Sequence, residues 1–327
     1  MTTVAFIARS KATDVQERWR ILQRTAPKSV TTRLVDSALS DGELIEALKG
    51  ASAVIPWGRG VLVPVARACP DLKLVQLLSA GFDSVDVTGL KKLGVTVCNN
   101  GGSNAVSVSE HTVSLMLSVY RKMMDAWAAT RQGKWREGVD SLPLRWEVTG
   151  KTVGIIGFGN IGRQVARKLS GWDIELLYYD IIEPMPGRDR ELGAKYTPKD
   201  ELLRRSDIVT LHVPLGKTTR GMMSDREFGL MKKTAVLINA CRGPVVDEKA
   251  LTRALQQGKI AAAGLDVFEQ EPTPADNPLL KMANVVATPH WAGGTVEGSE
   301  RALQFAVANC VRLAEGRTLL SVVQPED

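Results

Sequence analysis

The sequence predicts an α/β protein made of two doubly wound parallel-sheet domains. Three observations carry that expectation. Short apolar runs alternate with amphipathic helical stretches along nearly the whole chain, the pattern of βαβ units. A glycine motif, Gly157-Phe158-Gly159-Asn160-Ile161-Gly162, stands in mid-chain between an apolar run and a helical one. The length of 327 residues is about twice the ~150 of a typical domain.

Taken in order, the first hundred residues place strands at Val4–Ala8, Arg33–Val35, Ala53–Pro56, Leu74–Leu78 and Val95–Asn99. Helical stretches such as Asp41–Leu48 and Val85–Leu93 lie between them. The stretch from Asn104 to Gln132 is amphipathic and has no Pro or Gly before Gly133, so it reads as one long connecting helix. A second alternating series follows, with strands at Thr152–Ile156, Glu175–Tyr179, Ile208–Val213, Ala235–Asn239, Ala262–Val267 and Val285–Thr288. A last helix spans about Thr295 to Glu315. These boundaries give one domain from 1–102 with 293–327, and a second from 103–292. Gly-rich crossings near Asn100–Ser103 and Trp291–Thr295 would form the hinge.

The glycine motif has the context of a dinucleotide-binding fingerprint. The strand Val153-Gly154-Ile155-Ile156 precedes it and a helix over Arg163–Leu169 follows. Gly157 permits the tight turn, Gly159 lets the backbone approach a pyrophosphate, and Gly162 lets the helix pack on the strand. Asn160 and Ile161 start that helix, whose free N–H groups favour phosphates. Asp180 ends the next apolar run, where its carboxylate would accept hydrogen bonds from ribose hydroxyls. Ile181-Ile182 follow it, with no adjacent cation for a 2′-phosphate, so NAD is expected rather than NADP.

Composition narrows the class. Net charge is +6, but the basic pairs Lys91-Lys92, Arg204-Arg205 and Lys232-Lys233 are scattered, which gives no footprint for nucleic acid. The four cysteines are widely spaced without a CxxC pair, against a disulfide framework or structural zinc. No metal site is expected. No apolar run approaches ~18 residues, the minimum for a membrane span, and the N-terminus reads as a strand rather than a signal peptide. A cytoplasmic protein with reduced thiols is the expectation.

Hydride transfer is the usual reason to bind a dinucleotide, and it needs an acid/base and a substrate anchor. The chain has 3 histidines, the side chain whose ordinary pKa of ~6.5 suits that task. His290 ends a strand, where ligands sit in open α/β sheets. His212 lies late in a strand before Pro214, towards the cofactor edge. His111 sits inside the long helix, where packing or capping is the plainer role. Arg242 follows the strand ending at Asn239-Ala240-Cys241; its guanidinium suits a carboxylate, or pairs with Asp247. Glu271 follows a further strand, as a partner for chemistry or as a solvated loop carboxylate.

These residues carry a resemblance. Ser79-Ala80-Gly81-Phe82-Asp83, Asn104 through Glu110-His111, the glycine fingerprint, His212-Val213-Pro214-Leu215, Asn239-Ala240-Cys241-Arg242-Gly243, Gly264-Leu265-Asp266-Val267-Phe268-Glu269 with Glu271-Pro272, and Thr288-Pro289-His290 occur in one order. Over essentially its full length the chain resembles the D-isomer-specific 2-hydroxyacid dehydrogenases. That resemblance implies a Rossmann NAD-binding domain and a flavodoxin-like substrate domain with the cleft between them, closing to exclude water. It implies His290 as acid/base at the C2 oxygen, Glu271 as the partner that favours its imidazolium, and Arg242 as the carboxylate anchor. Main-chain N–H groups of Ala80 and Gly81 would help hold the substrate. Asp266 and Asn239 would contact the nicotinamide side, Thr218 would lie nearer the pyrophosphate, and His212, Pro214, Cys241 and Gly293 would also belong to the cofactor site. A homodimer is implied, with the helix from Asn104 and the loop of Trp135 and Trp146 as contacts, or with those tryptophans packed within the chain.

Comparisons within the family narrow it. Glu271 disfavours formate as substrate, since formate dehydrogenases carry Gln there. Phosphite dehydrogenases place Lys near Ser79, and none stands there in this chain. The chain stops soon after its last helix, without the C-terminal regulatory domain frequent in phosphoglycerate dehydrogenases; a short form of that enzyme stays open. Departures are the Asn99–Ser103 loop without its common proline, Trp291 in place of a smaller residue, and Trp57 with Arg59 after the third strand. Trp57, Arg59, Ser79 and Trp291 would shape the substrate pocket, or Trp57 and Arg59 would be ordinary loop packing and a solvated cation. The alternative function is an NAD(H)-sensing, corepressor-like interaction protein, because such proteins keep the same Arg, Glu and His.

Overall fold

The computed structural model describes residues 2–58, 60–136, 145–182 and 191–324. The chain divides into two compact units, residues 1–104 with 294–327, and residues 105–293. Among the described residues, no helix is long and apolar enough to cross a membrane.

Unit 1 starts with β1 (Thr2–Ala8), α1 (Thr13–Thr25), β2 (Val30–Asp36), α2 (Asp41–Leu48), β3 (Ala53–Pro56), α3 (Val63–Arg67), β4 (Leu74–Gln76), α4 (Val87–Lys92) and β5 (Thr96–Cys98). Unit 2 holds α5 (Ala105–Arg121), α6 (Met123–Arg131), β6 (Thr152–Ile156), α7 (Asn160–Leu169), β7 (Glu175–Tyr179), β8 (Ala194–Tyr196), α8 (Lys199–Arg205), β9 (Ile208–Leu211), α9 (Asp225–Leu230), β10 (Val236–Asn239), α10 (Glu248–Gln256), β11 (Ala262–Leu265) and β12 (Val285–Ala287). The last helix, α11 (Val296–Ala314), belongs to unit 1.

The sheet of unit 1 runs β2-β1-β3-β4-β5, all parallel. This is the doubly wound order of flavodoxin-like folds. Side chains alternate across a strand, and β1 shows what that does. Val4, Phe6 and Ala8 face a core that includes Leu22 of α1 and Leu303, Ala306 and Cys310 of α11. Ala5 and Ile7 face the other core, with Leu44 and Leu48 of α2 and Val65 of α3. Residues 321–323 close the β5 edge: Val322 bridges Cys98 antiparallel, and the Val323 N–H donates to the Val97 carbonyl at 2.9 Å.

The sheet of unit 2 runs β12-β11-β10-β9-β6-β7-β8, again parallel. Counted within the unit this is the Rossmann order, with one strand added beyond β11. The order reverses between β6 and β9, and the glycine turn follows β6 at that switch point. Helices α5 and α7 cover one face, burying Leu115, Met116, Val165 and Leu169 against Val153, Ile155 and Ile238. Helices α8, α9 and α10 cover the other through Leu202, Phe228 and Leu251.

Two sequence expectations need correction. The single helix over Asn104–Gln132 is two helices, because Lys122 turns the chain with φ 52°. Neither Gly nor Pro marks the break. A buried lysine stem holds it instead, with Nζ donating to the Ala283 carbonyl at 3.5 Å. Beyond the break the buried stripe ends, and α6 has no buried residue. The sequence reading also passed over β8, a three-residue strand paired with β7.

Candidate active site

The three glycines of the turn differ in what they permit. Gly157 has φ +91°, and a Cβ there would overlap the His212 carbonyl oxygen. A Cβ on Gly162 would overlap the carbonyl oxygen of Gly157, so helix and turn close directly on each other. Gly159 caps α7 in an extended conformation, and a Cβ there would enter open space. That space lies at the helix N-terminus, where N–H groups and the positive dipole end favour a phosphate, so the turn fits a dinucleotide pyrophosphate.

Asp180 is tied to this turn. Its Oδ2 accepts the Phe158 N–H at 2.6 Å and its Oδ1 accepts the Ile182 N–H at 3.0 Å. The Phe158 ring stacks on Tyr178 at 4.0 Å, and Arg163 Nη1 donates to the Phe158 carbonyl at 3.1 Å. The loop is therefore braced on both sides. Asn160 accepts from Arg163 Nη2 at 3.2 Å. Ile161 packs with Val108, Ala240 and Ala292, which joins the start of α7 to the segment after β12.

The carboxyl ends of β10, β11 and β12 bring the chemical side chains into register. After β10, the Asn239 Oδ1 accepts from the Cys241 N–H and Sγ, each at 3.1 Å, and its Nδ2 donates to the Arg242 carbonyl at 3.0 Å. Cys241 is buried, and that burial pushes its thiol up to about 11, so it stays a neutral thiol. Arg242 is half-buried, with Nη1 donating to the Cys241 carbonyl at 2.6 Å. Asp247, its alternative partner in sequence, caps α10 through the Ala250 N–H at 2.9 Å and accepts from Ser224 Oγ at 3.2 Å.

After β11, Glu271 accepts the Phe268 N–H on Oε1 at 3.0 Å and faces His290 Nδ1 with Oε2 at 2.6 Å. His290 sits after β12 in the left-handed region, φ 55°. The His290 ring is about half exposed at 47 %, so its Nε2 side is open while Nδ1 is engaged by the carboxylate. Trp291 is exposed, and Ala292 is buried ahead of Gly293.

His212 is buried, with Nε2 2.9 Å from Thr210 Oγ1 and Nδ1 without a hydrogen-bond partner among the described residues. Burial drives its pKa down to about 3, so the ring is neutral. Thr218 is exposed. Thr219, which sequence reasoning passed over, ties the loop by donating to the Pro214 carbonyl at 2.6 Å and accepting the Gly216 N–H at 2.8 Å.

Within unit 1, Ser79 Oγ donates to the Gly81 carbonyl at 2.7 Å and Asn99 Nδ2 to the Ala80 carbonyl at 3.1 Å, which fixes the Ser79–Gly81 turn. Trp57 packs on the core under α1 and α11, with the Arg18 guanidinium 4.1 Å from its ring centre. Arg59 lies outside the described residues. Trp146 packs edge-on to Tyr120 at 5.7 Å, within unit 2.

Comparison with known proteins adds four findings. The family model for the NAD binding domain of D-isomer specific 2-hydroxyacid dehydrogenases matches residues 113–292. The chain is 38% identical over 285 residues to a glyoxylate reductase of Korarchaeum cryptofilum, covering 86% of each. It is 37% identical over 293 residues to a D-3-phosphoglycerate dehydrogenase of Archaeoglobus fulgidus, covering 88% of this chain and 54% of that one. Among solved structures, the NAD-complexed D-isomer specific 2-hydroxyacid dehydrogenase of Lactobacillus delbrueckii ssp. bulgaricus matches with a TM-score of 0.81 at 28% identity, covering 99% of this chain and 100% of that one.

Proposed function

Since the chain belongs to the D-isomer-specific 2-hydroxyacid dehydrogenase family, we propose that it reduces a small 2-keto acid to the D-2-hydroxy acid, with Arg242, Glu271 and His290 as the working side chains. NAD is the cofactor, and unit 2 is the NAD-binding domain. When bound, NADH supplies the hydride that goes to C2.

The observation that carries the proposal is the 2.6 Å bond from His290 Nδ1 to Glu271 Oε2. With Nδ1 engaged, Nε2 is the nitrogen that gives a proton to the C2 oxygen as the hydride arrives. Glu271 holds the ring's orientation and offsets its positive charge before transfer. Arg242, at the end of β10, the strand paired with β11, anchors the substrate carboxylate through two parallel bonds and draws charge from the C2 carbonyl. Gly157, Gly159 and Gly162 hold the pyrophosphate, Asp180 the adenosine ribose, and the residues around Asn239, Asp266 and Gly293 the nicotinamide side.

A panel of 2-keto acids with NADH and NADPH in parallel tests the reading, with glyoxylate first because of the relatives' activity. His290→Ala is expected to lower kcat by ~10²–10⁴-fold, the usual share of a positioned acid/base. Wild-type turnover in that variant would remove the assigned role. Tight NADH binding with no oxidation by any 2-keto acid would favour the NAD(H)-sensing alternative.

The same reading includes a homodimer. Met123, Met124, Trp127 and Trp135 are exposed on α6 and the loop after it, an apolar set of the kind that association covers. Light scattering of the wild type and of Trp127→Glu tests it, with a shift to monomer expected in the variant.

A further inference from the structure

Asp266 follows β11 and is completely buried. It holds three consecutive residues. Its main-chain carbonyl accepts the His290 N–H at 2.7 Å. Its carboxylate accepts the Trp291 N–H at 2.9 Å and the Ala292 N–H at 2.8 Å. A left-handed conformation at a residue other than glycine is unfavourable and persists where its surroundings fix it. At His290 these bonds are what fixes it.

The carboxylate itself is held from α5. Thr288 Oγ1 donates to Asp266 Oδ1 at 2.6 Å, and His111 Nε2 lies 2.9 Å from Thr288 Oγ1 and 3.4 Å from Asp266 Oδ1. A hydroxyl has one proton, and that of Thr288 goes to Asp266. Thr288 therefore accepts from His111, which requires the proton on Nε2. The chain of donors runs from the His111 N–H to the Thr288 O–H to the buried carboxylate. Burial pushes the Asp266 carboxyl up, but the bonds from His111 and Thr288, then those from Trp291 and Ala292, outweigh it and hold it below the ordinary carboxylate range. The anion that grips the 290–292 turn is thus sustained in part by a residue on another element.

We infer that His111 is a positioning residue for His290: through Thr288 and Asp266 it fixes the turn that aims the His290 ring. The inference rests on the hydride-transfer reading above for its kinetic arm only. Glutamine reaches as far as Nε2 and donates an N–H, whereas leucine fills the space without a donor. Comparing His111→Gln with His111→Leu therefore separates hydrogen bonding from packing. For His111→Leu we expect kcat to fall about tenfold or more while the NADH dissociation constant stays within about threefold, the size of effect typical of an outer partner that orients a working residue. His111→Gln should stay within about threefold of wild type in both, and Thr288→Val should match His111→Leu while Thr288→Ser does not.

A second arm needs no turnover. The short His290–Glu271 bond gives a far-downfield proton signal in the NAD-free protein, identified by its loss in Glu271→Gln and simplified by there being only 3 histidines. That signal should shift or broaden in His111→Leu and Thr288→Val and return in His111→Gln. Should His111→Leu fail to fold, Thr288→Val against His111→Gln decides. An unchanged signal with kcat within about twofold in the donor-less variants, or equal impairment by Gln and Leu, overturns the inference. A wild type inactive on every 2-keto acid overturns the hydride-transfer reading instead, and the spectroscopic arm still judges His111.

Discussion

Gly243 and Phe268 meet backbone to backbone: a Cβ on Gly243 would overlap the carbonyl oxygen of Phe268. The contact locks the loop that carries Arg242 against the loop that carries Glu271. The Phe268 N–H is itself bonded to Glu271 at 3.0 Å, so a displacement there reaches the His290–Glu271 pair. Gly243→Ala should therefore cost about 1–3 kcal/mol of stability through overpacking. Steady-state kinetics should show a fall in kcat of about a hundredfold, because an error of ~1 Å in a working group has that effect. A variant with wild-type kcat would show that the two loops do not depend on this contact.

Glu271→Gln keeps the size of the side chain and an acceptor for the Phe268 N–H, but removes the charge opposite His290. The expected result is a fall in kcat of about tenfold to a thousandfold with little change in KM for the 2-keto acid. A large rise in KM with unchanged kcat would place Glu271 in substrate binding instead.

Replacing Asp180 has two effects at once. Asp180→Ala removes the acceptor from the Phe158 and Ile182 N–H groups and loosens the glycine turn, and it removes the carboxylate offered to the ribose. Titration of tryptophan fluorescence should show NADH binding weakened by about tenfold, near the worth of one charged hydrogen bond, with NADPH affected less. A clear preference of the wild type for NADPH would contradict the role given to this residue.

His212 should leave a mark on stability against pH. The folded ring, neutral because burial lowers its pKa to about 3, does not take up a proton where the unfolded chain does, below about 6.5. Stability is then independent of this group above that pH and falls as pH drops from about 6.5 towards 3. At pH 5 the loss is about 2 kcal/mol. Urea unfolding at pH 7 and 5 should show a shallower decline for His212→Gln than for the wild type; equal declines would mean that the buried ring is charged.

The fold was readable in the sequence where periodicity is strong. The buried strands of both sheets are continuous apolar runs, and the turn at Gly157–Gly162 has a backbone need that only glycine meets. Where the chain breaks its pattern without punctuation, the sequence is silent. Lys122 turns left-handed because its stem is buried and its ammonium reaches Ala283, a contact across 161 residues. The strand Ala194–Tyr196 is three residues long and two of its side chains are exposed, so it has almost no apolar signature. In the site, Arg242, Glu271 and His290 stand at strand ends that the apolar runs locate. The link from His111 to Asp266 is invisible in sequence, because a histidine within a helical stripe looks like packing until the fold brings Thr288 against it.

Unit 1 is assembled from both ends of the chain, and this sets an order on its making. Residues 1–104 leave the ribosome first, yet the face carrying Val4, Phe6 and Ile55 is completed by Leu303, Ala306 and Cys310 of α11. All of unit 2 is translated in between. At about 5–20 residues per second the N-terminal segment waits roughly ten to forty seconds with one side of its sheet covered only in part, by α1. Unit 2 is continuous in sequence and can close its core during that interval. The nascent chain can thus acquire its nucleotide fold before its N-terminal sheet is sealed, and that waiting sheet is the apolar surface exposed in the meantime.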